Sequence, residues 1–252
     1  MSTSPALLTN AQASNYRALK RSKYRRLEKL FLLEGTRLCE EAFKSNLSIL
    51  ACITTKGFDK ILIPSAVEHY EATPVQIEQI SDSKSPQGII CIAQIPPAKS
   101  APEPDSTSLL LVLDRLADPG NMGTIFRSAL WFGIKDILLG PECVDPFSPK
   151  VVRSSMGAIA NLNIHLSENL LTSATAWKAG GGDVAALHMD GQTLHTFKSQ
   201  KPLLLIVGSE AHGVDQNLLT LSTPLSIKTS GSGESLNAAM ATGIALYELS
   251  KP

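Results

Sequence analysis

The sequence predicts an α/β protein built in two parts. Short apolar runs alternate with amphipathic stretches along most of the chain, and one proline-rich stretch interrupts the alternation. Beyond that interruption strand and helix candidates take turns, and Leu109–Leu113 and Leu203–Val207 are continuously apolar. That pattern belongs to a mostly parallel sheet covered on both faces.

Taken in order, residues 14–30 predict a basic amphipathic helix, with Tyr16, Leu19, Tyr24, Leu27 and Leu30 near helical spacing. Phe31-Leu32-Leu33-Glu34 reads as a short strand closed by Gly35. Thr36 is placed to cap a helix reaching about Ser45. Strands are expected at Ile49–Thr54, Lys60–Ile63 and Gly88–Ile95, with a helix around Ser65–Tyr70. Residues 96–107 hold four prolines and no apolar period, so they can continue neither a helix nor a central strand. The expected division is a small α/β domain over 1–98, a linker over 99–107 and a larger α/β domain over 108–252. In the latter, strands are expected at Leu109–Leu113, Asp136–Leu139, Leu162–His165, Val184–Leu187, Leu203–Val207 and near Leu225–Lys228. Helices are expected at about 121–132, 149–157, 168–180, 214–221 and 235–249.

Composition narrows the class. An apolar content of 43% and a charged content of 18% describe an ordinary globular protein. No apolar run approaches the roughly 18 residues of a bilayer span, and the first ten residues lack a basic-then-apolar export pattern. The four cysteines, Cys39, Cys52, Cys91 and Cys143, are scattered without ligand spacing, so reduced structural thiols in the cytoplasm and no metal are expected. A net charge of zero conceals an asymmetry: residues 1–50 carry nine Lys/Arg against four Glu, a balance of +5. Lys20, Arg21, Lys23, Arg25, Arg26 and Arg37 are therefore candidate phosphate contacts, although a solvated helical face accounts for the charge equally well.

Three segments of the second part place polar groups where a strand ends or a helix begins. In the first, Asp118-Pro119-Gly120 turns into Asn121-Met122-Gly123-Thr124-Ile125-Phe126-Arg127, with Asn121 placed to cap the helix. Alone, it reads as a plain capped helix with a surface Arg. In the second, the strand Leu203–Val207 enters Gly208-Ser209-Glu210-Ala211-His212-Gly213. This is neither a nucleophile elbow nor a phosphate loop, and His212 is a surface loop residue. In the third, Ile227-Lys228-Thr229 leads through a Gly/Ser loop into Ser235-Leu236-Asn237, where Ser235 is a candidate cap and small residues follow on the helix.

Together, in this order, the three segments resemble the motifs of the SpoU (TrmH) family of RNA ribose 2′-O-methyltransferases: Asn-x-Gly-x-x-x-Arg, Gly-x-Glu-x-x-Gly and Ser-Leu-Asn-x-Ala. Residues 146–158, Pro146 to Ala158, resemble the stretch between the first two motifs. Residues 20–95, with Phe31-Leu32-Leu33-Glu34-Gly35-Thr36-Arg37, are similar to the ribosomal-protein-like RNA-binding domain that many members carry.

The resemblance implies a carboxyl-terminal domain threaded into a trefoil knot, a homodimer formed through it, and S-adenosylmethionine as methyl donor, bound at Gly208, Ile227 and Leu236. It implies a ribose 2′-hydroxyl of structured RNA as acceptor, ribosomal RNA ahead of transfer RNA; a non-catalytic RNA-binding factor of the same fold is the alternative. Arg127 then occupies the position expected to be catalytic. A guanidinium normally stays protonated, so two roles stand open: losing a proton at the reaction centre, or binding a phosphate and positioning the ribose while another group accepts the proton. Asn121, Glu210, Ser235 and Asn237 match the remaining functional positions, assigned to holding Arg127, the loops and the ribose. One departure is visible: most members have Ile-Pro-Met where this chain has Ile227-Lys228-Thr229.

Overall fold

The computed structural model describes residues 5–97, 99–104, 108–228, 231 and 235–250. The chain divides into two compact units, Met1–Pro97 with Asp145–Asn161, and Ala98–Val144 with Leu162–Pro252. The return of residues 145–161 to the first unit was not expected from the sequence.

Among its described residues, the first unit holds a five-stranded sheet in the order β1 (Ala6–Leu7), β4 (Glu68–Ala72), β3 (Ile49–Thr55), β5 (Ile89–Gln94), β2 (Leu30–Glu34). Pairing is parallel from β1 to β3 and antiparallel from β3 to β2. The single basic helix expected over 14–30 is two helices, α1 (Asn10–Ala18) and α2 (Ser22–Glu28). Their break has a physical cause: the Arg25 guanidinium donates to the carbonyls of Leu19 and Lys20, each at 2.8 Å, satisfying groups that the end of α1 leaves open.

Residues 60–63 form no strand, and Leu62 is 91% exposed. The strand beside β3 is the polar run Glu68-His69-Tyr70-Glu71-Ala72, where a helix was expected. Side-chain bonds, Tyr70 to Glu68 at 2.8 Å and Thr54 with His69 at 2.9 Å, accompany the backbone ladder there. Helix α4 (Pro74–Ile80) follows, opened by a capping box in which Thr73 and Gln76 bond reciprocally. Helix α3 (Thr36–Lys44) begins with Thr36 inside it, and its cap position is Gly35 at φ 102°. The Gln87 side chain accepts from the Thr36 amide instead, at 2.9 Å.

The segment 145–161 joins this unit through named contacts. Phe147 packs on Phe31 with ring centroids 5.0 Å apart. Asp145 accepts two bonds from Arg25, one of them from Nε at 3.1 Å. Its helix α6 (Pro149–Ser154) lies against β2 and is shorter than expected, because Met156 and Gly157 both turn to positive φ. At Gly157 an added Cβ would lie 2.9 Å from the Glu41 Cβ on α3, so only glycine allows that approach.

The second unit is a six-stranded, wholly parallel sheet among its described residues. Its order is β11 (Thr223–Ser226), β9 (Asp183–Thr193), β10 (Leu203–Val207), β6 (Leu109–Leu113), β7 (Asp136–Leu139), β8 (Asn163–Leu166). Strands β6 and β10 are buried at every residue, as their continuous apolarity predicts. Helices α7 (Leu170–Ala179) and α8 (Gln216–Leu221) pack with one face of the sheet, while α5 (Pro119–Trp131) and α9 (Ala238–Leu249) pack on each other. β9 runs far beyond the expected Val184–Leu187, and its register with β11 slips between Pro224 and Leu225. Because every strand is parallel, the turns after β6, β10 and β11 leave the sheet at the same edge, where ligands bind in α/β proteins.

Candidate active site

Side-chain hydrogen bonds tie the three motifs together at that edge. The Asn121 amide donates through Nδ2 to Oε1 of Glu210. Its Oδ1 accepts from Nδ2 of Asn237 at 3.0 Å. Asn237 in turn accepts, through Oδ1, the backbone N–H groups of Ala239 at 3.0 Å and Met240 at 3.3 Å. The result is a directed chain from the first turn of α9, through two amides, to a carboxylate. The positive end of a helix polarises such a chain toward the anion at its far end.

Two capping expectations are corrected by this arrangement. Asp118, not Asn121, caps α5, its Oδ1 accepting from the Asn121 amide at 2.7 Å. That frees the Asn121 side chain for the other two motifs. Asn237, not Ser235, caps α9, and Ser235 lies exposed ahead of it. In both cases residue type does not choose, since Asn, Asp and Ser cap about equally well; the residue immediately before the helix takes the position, Asp118 before Pro119 and Asn237 before Ala238.

Arg127 lies on the exposed side of α5, six residues beyond Asn121, about 9 Å along the axis at 1.5 Å per residue. The bonds described at Asn121, Glu210 and Asn237 run among themselves and to backbone, and none reaches Arg127. Among the described residues they hold one another.

Gly208 ends β10 where its Cβ, if present, would sit 2.2 Å from the Gly213 carbonyl carbon. Glycine is what lets the second motif close on itself, through an antiparallel bridge between Ser209 and Gly213. Ile227 is half-buried just past β11, and Leu236 is 46% exposed beside Asn237. His212 is exposed, as expected of a surface loop residue. Thr229 and most of the Gly/Ser loop, residues 229–230 and 232–234, lie outside the described residues.

One pair at this edge was not read from the sequence. Asp114, buried at the end of β6, bonds Arg115 through both oxygens at 3.0 Å and accepts from the Asp215 amide at 2.8 Å. The adjoining carboxylate pushes the Arg115 guanidinium further up from its already high pKa. The pair links the turn after β6 to the start of α8, and the signal for it was an Asp-Arg immediately after an apolar strand.

In the first unit the basic residues separate by role. Arg25 is 3% exposed and committed to Asp145 and two carbonyls, so it belongs to the fold and not to the surface. Lys20 is half-buried and donates to the Ser81 carbonyl at 2.5 Å. Arg21, Lys23, Arg26 and Arg37 remain exposed.

Known proteins agree with this architecture. The SpoU rRNA Methylase family matches residues 108–247, and the MRM3-like substrate binding domain matches residues 10–91. The 23S rRNA (guanosine(2553)-2'-O)-methyltransferase RlmP of Bacillus subtilis is 31% identical over 246 residues, covering 95% of this chain and 96% of that protein. A TrmH-family structure from Porphyromonas gingivalis superposes with a TM-score of 0.87 at 34% identity, covering 96% of this chain and 98% of that one. An AdoMet-bound rRNA methyltransferase from Sinorhizobium meliloti superposes at 0.84 with 28% identity, covering 96% and 95%. The chain belongs to the SpoU rRNA methylase family. It is an S-adenosylmethionine-dependent RNA methyltransferase, with an α/β fold whose second unit is a parallel sheet.

Proposed function

We propose that this enzyme transfers a methyl group to a ribose 2′-hydroxyl of ribosomal RNA, at the edge where Asn121, Glu210 and Asn237 meet. The observation that carries this reading is the hydrogen-bonded chain joining three motifs from sequence positions 121, 210 and 237. The relatives named for ribosomal RNA methylation support the substrate over transfer RNA.

The residues present suit the methyl donor. Gly208 and Gly213 form a tight backbone loop, and the exposed Leu236 offers apolar cover beside a polar pair. S-adenosylmethionine supplies an activated methyl on a sulfonium when bound. Gly208, Ile227 and Leu236 would hold it, and the Asn121–Glu210–Asn237 chain would fix the motif loops relative to one another. Arg127, exposed on α5, binds a phosphate of the RNA and sets the 2′-hydroxyl in line, so that orientation supplies most of the acceleration, while another group accepts the hydroxyl proton.

The same domain forms a homodimer in this reading. Met240, Ile244 and Tyr247 are exposed at i, i+4 and i+7 on α9, a single apolar stripe, and Trp131 on α5 is 84% exposed. A knotted carboxyl-terminal part of the second domain belongs to the same proposal, as does the cytoplasm as its location, which the free thiols suit. No helix among the described residues is long and apolar enough to cross a membrane.

Calorimetric titration with S-adenosylmethionine, followed by mapping of 2′-O-methyl sites in ribosomal RNA from cells with and without the gene, tests the reading. Saturable binding and a site lost with the gene are expected; a protein that binds no methyl donor overturns it.

A further inference from the structure

A cavity of about 140 Å³ opens in the first unit. Its apolar lining is Leu38 and Met156, and polar groups of Ser83, Ser85 and Gln87 surround that lining. Arg37 and Arg153 also line it. Arg153 is oriented by Asp82, with Nη1 to Oδ2 at 3.2 Å. The Gln87 carbonyl oxygen accepts from the Thr36 amide at 2.9 Å, which leaves the NH₂ as the donor group of that side chain. Glu34, also on the lining, is spoken for by the Asp82 amide at 3.0 Å and the Ser81 hydroxyl.

The size and chemistry select a ligand. A cavity near 150 Å³ holds one six-membered aromatic ring. An apolar lining, hydrogen-bonding groups beside it and two guanidinium groups match one base with its phosphate, and sequence-specific proteins read RNA through such unstacked bases. We infer that this cavity takes a single unstacked pyrimidine nucleotide of the substrate RNA, its base on Leu38 and Met156 and its phosphate at Arg37 and Arg153. The inference rests on the RNA-methyltransferase reading above and adds a specificity site to it. It also gives residues 145–161 a purpose: they lie within the stretch matched by the methylase family, yet they supply Arg153 and Met156 to the substrate-binding unit.

The test uses the full-length protein and a ten-nucleotide oligouridylate carrying one 4-thiouridine, photo-crosslinked and mapped by mass spectrometry. Crosslinks are expected on the peptides bearing Gln87 and Met156. Ser85→Trp, which fills the cavity from an exposed position, is expected to lower affinity about tenfold, the weight of one base contact. Ser14→Trp, exposed on α1, is expected to leave affinity unchanged. Arg37→Met is expected to reduce the slope of log affinity against log salt by about 0.7, one phosphate contact on a single strand. An oligoadenylate of equal length is expected to compete about tenfold less well. Crosslinks confined to other peptides, or wild-type affinity in Ser85→Trp, overturn the site, and equal competition by oligoadenylate overturns the single-ring assignment. Titration of Ser85→Trp with S-adenosylmethionine separates the two readings: normal donor binding keeps the enzyme assignment whatever the crosslinks show.

Discussion

The two units solve the same construction problem, a sheet covered by helices, and end with different kinds of surface. In the second unit all strands run one way, so the segments that follow β6, β10 and β11 emerge at one edge and residues 121, 210 and 237 meet in a chain of hydrogen bonds. In the first unit the sheet is mixed, its connections leave at both ends, and its functional groups are collected from loop 81–88, α3 and the returning segment 145–161. Parallel topology concentrates backbone turns, which suits a cofactor held by main-chain groups. Mixed topology spreads long side chains over a surface, which suits a polyanion.

That contrast is sharpened most by Arg127→Ala. Methyl transfer is expected to fall by about 10²–10³-fold, the scale for losing one positioned donor, with donor affinity within about twofold of wild type. Single-turnover assays with labelled S-adenosylmethionine beside calorimetry measure both; near-normal transfer would place the chemistry elsewhere on the edge.

Next in size is Arg25→Ala, which leaves Asp145 and two carbonyls without their shared partner. A loss of about 3–5 kcal/mol is expected for breaking a buried pair from one side, read by denaturant unfolding. A loss under about 1 kcal/mol would show that the arginine is a surface contact after all.

Asn237→Ala removes the cap of α9 and one link of the motif chain together. About 1 kcal/mol of stability should be lost with the cap, and donor affinity should weaken as the loops separate. The double variant Asn121→Ala/Asn237→Ala measures their coupling. Strictly additive effects would show that the 3.0 Å bond joins nothing of consequence.

Smallest is the response of the thiols. The neighbouring Cys39 and Cys52 thiols, which favour the protonated form of Cys91, together with burial push the Cys91 thiol well up, and burial raises Cys143. In native protein at pH 8 a thiol reagent is expected to leave Cys39, Cys52 and Cys91 unmodified and to reach Cys143 slowly. Rapid reaction of all four would reveal an open first unit.

Much of the second unit was legible because its strands are buried on both faces: Leu109–Leu113 and Leu203–Val207 announce themselves as apolar runs of the right length. The motif residues were legible only through the resemblance to the family's motifs; the glycines and helix starts beside Asn121, Glu210 and Asn237 mark element ends and no more. Where the reading failed, local signal pointed the wrong way. Lys60–Ile63 has the apolarity of a strand but lies where no sheet edge receives it, whereas Glu68–Ala72 is polar and pairs with β3 through its backbone. The Thr73-Pro74-Val75-Gln76 start signal was present in the sequence and went unread.

The sequence by itself determined two α/β units, the strand ends and helix starts where the motifs lie, and the sign of the charge near the amino terminus, because periodicity, glycine and charge act within a few residues. Only the tertiary structure decided which residues do what. Arg25 is a buried strut and Arg37 a surface group although both are arginines in the same basic run. Asp118 rather than Asn121 caps α5, and residues 145–161 belong to the first unit. Two of these turn on partners distant in sequence, Arg25 on Asp145 and residues 145–161 on Phe31, whereas the Asp118 cap is a local bond that only frees Asn121 for its distant partners Glu210 and Asn237. Contacts across such separations are set by the packing of the folded chain, and no local pattern of residues encodes them.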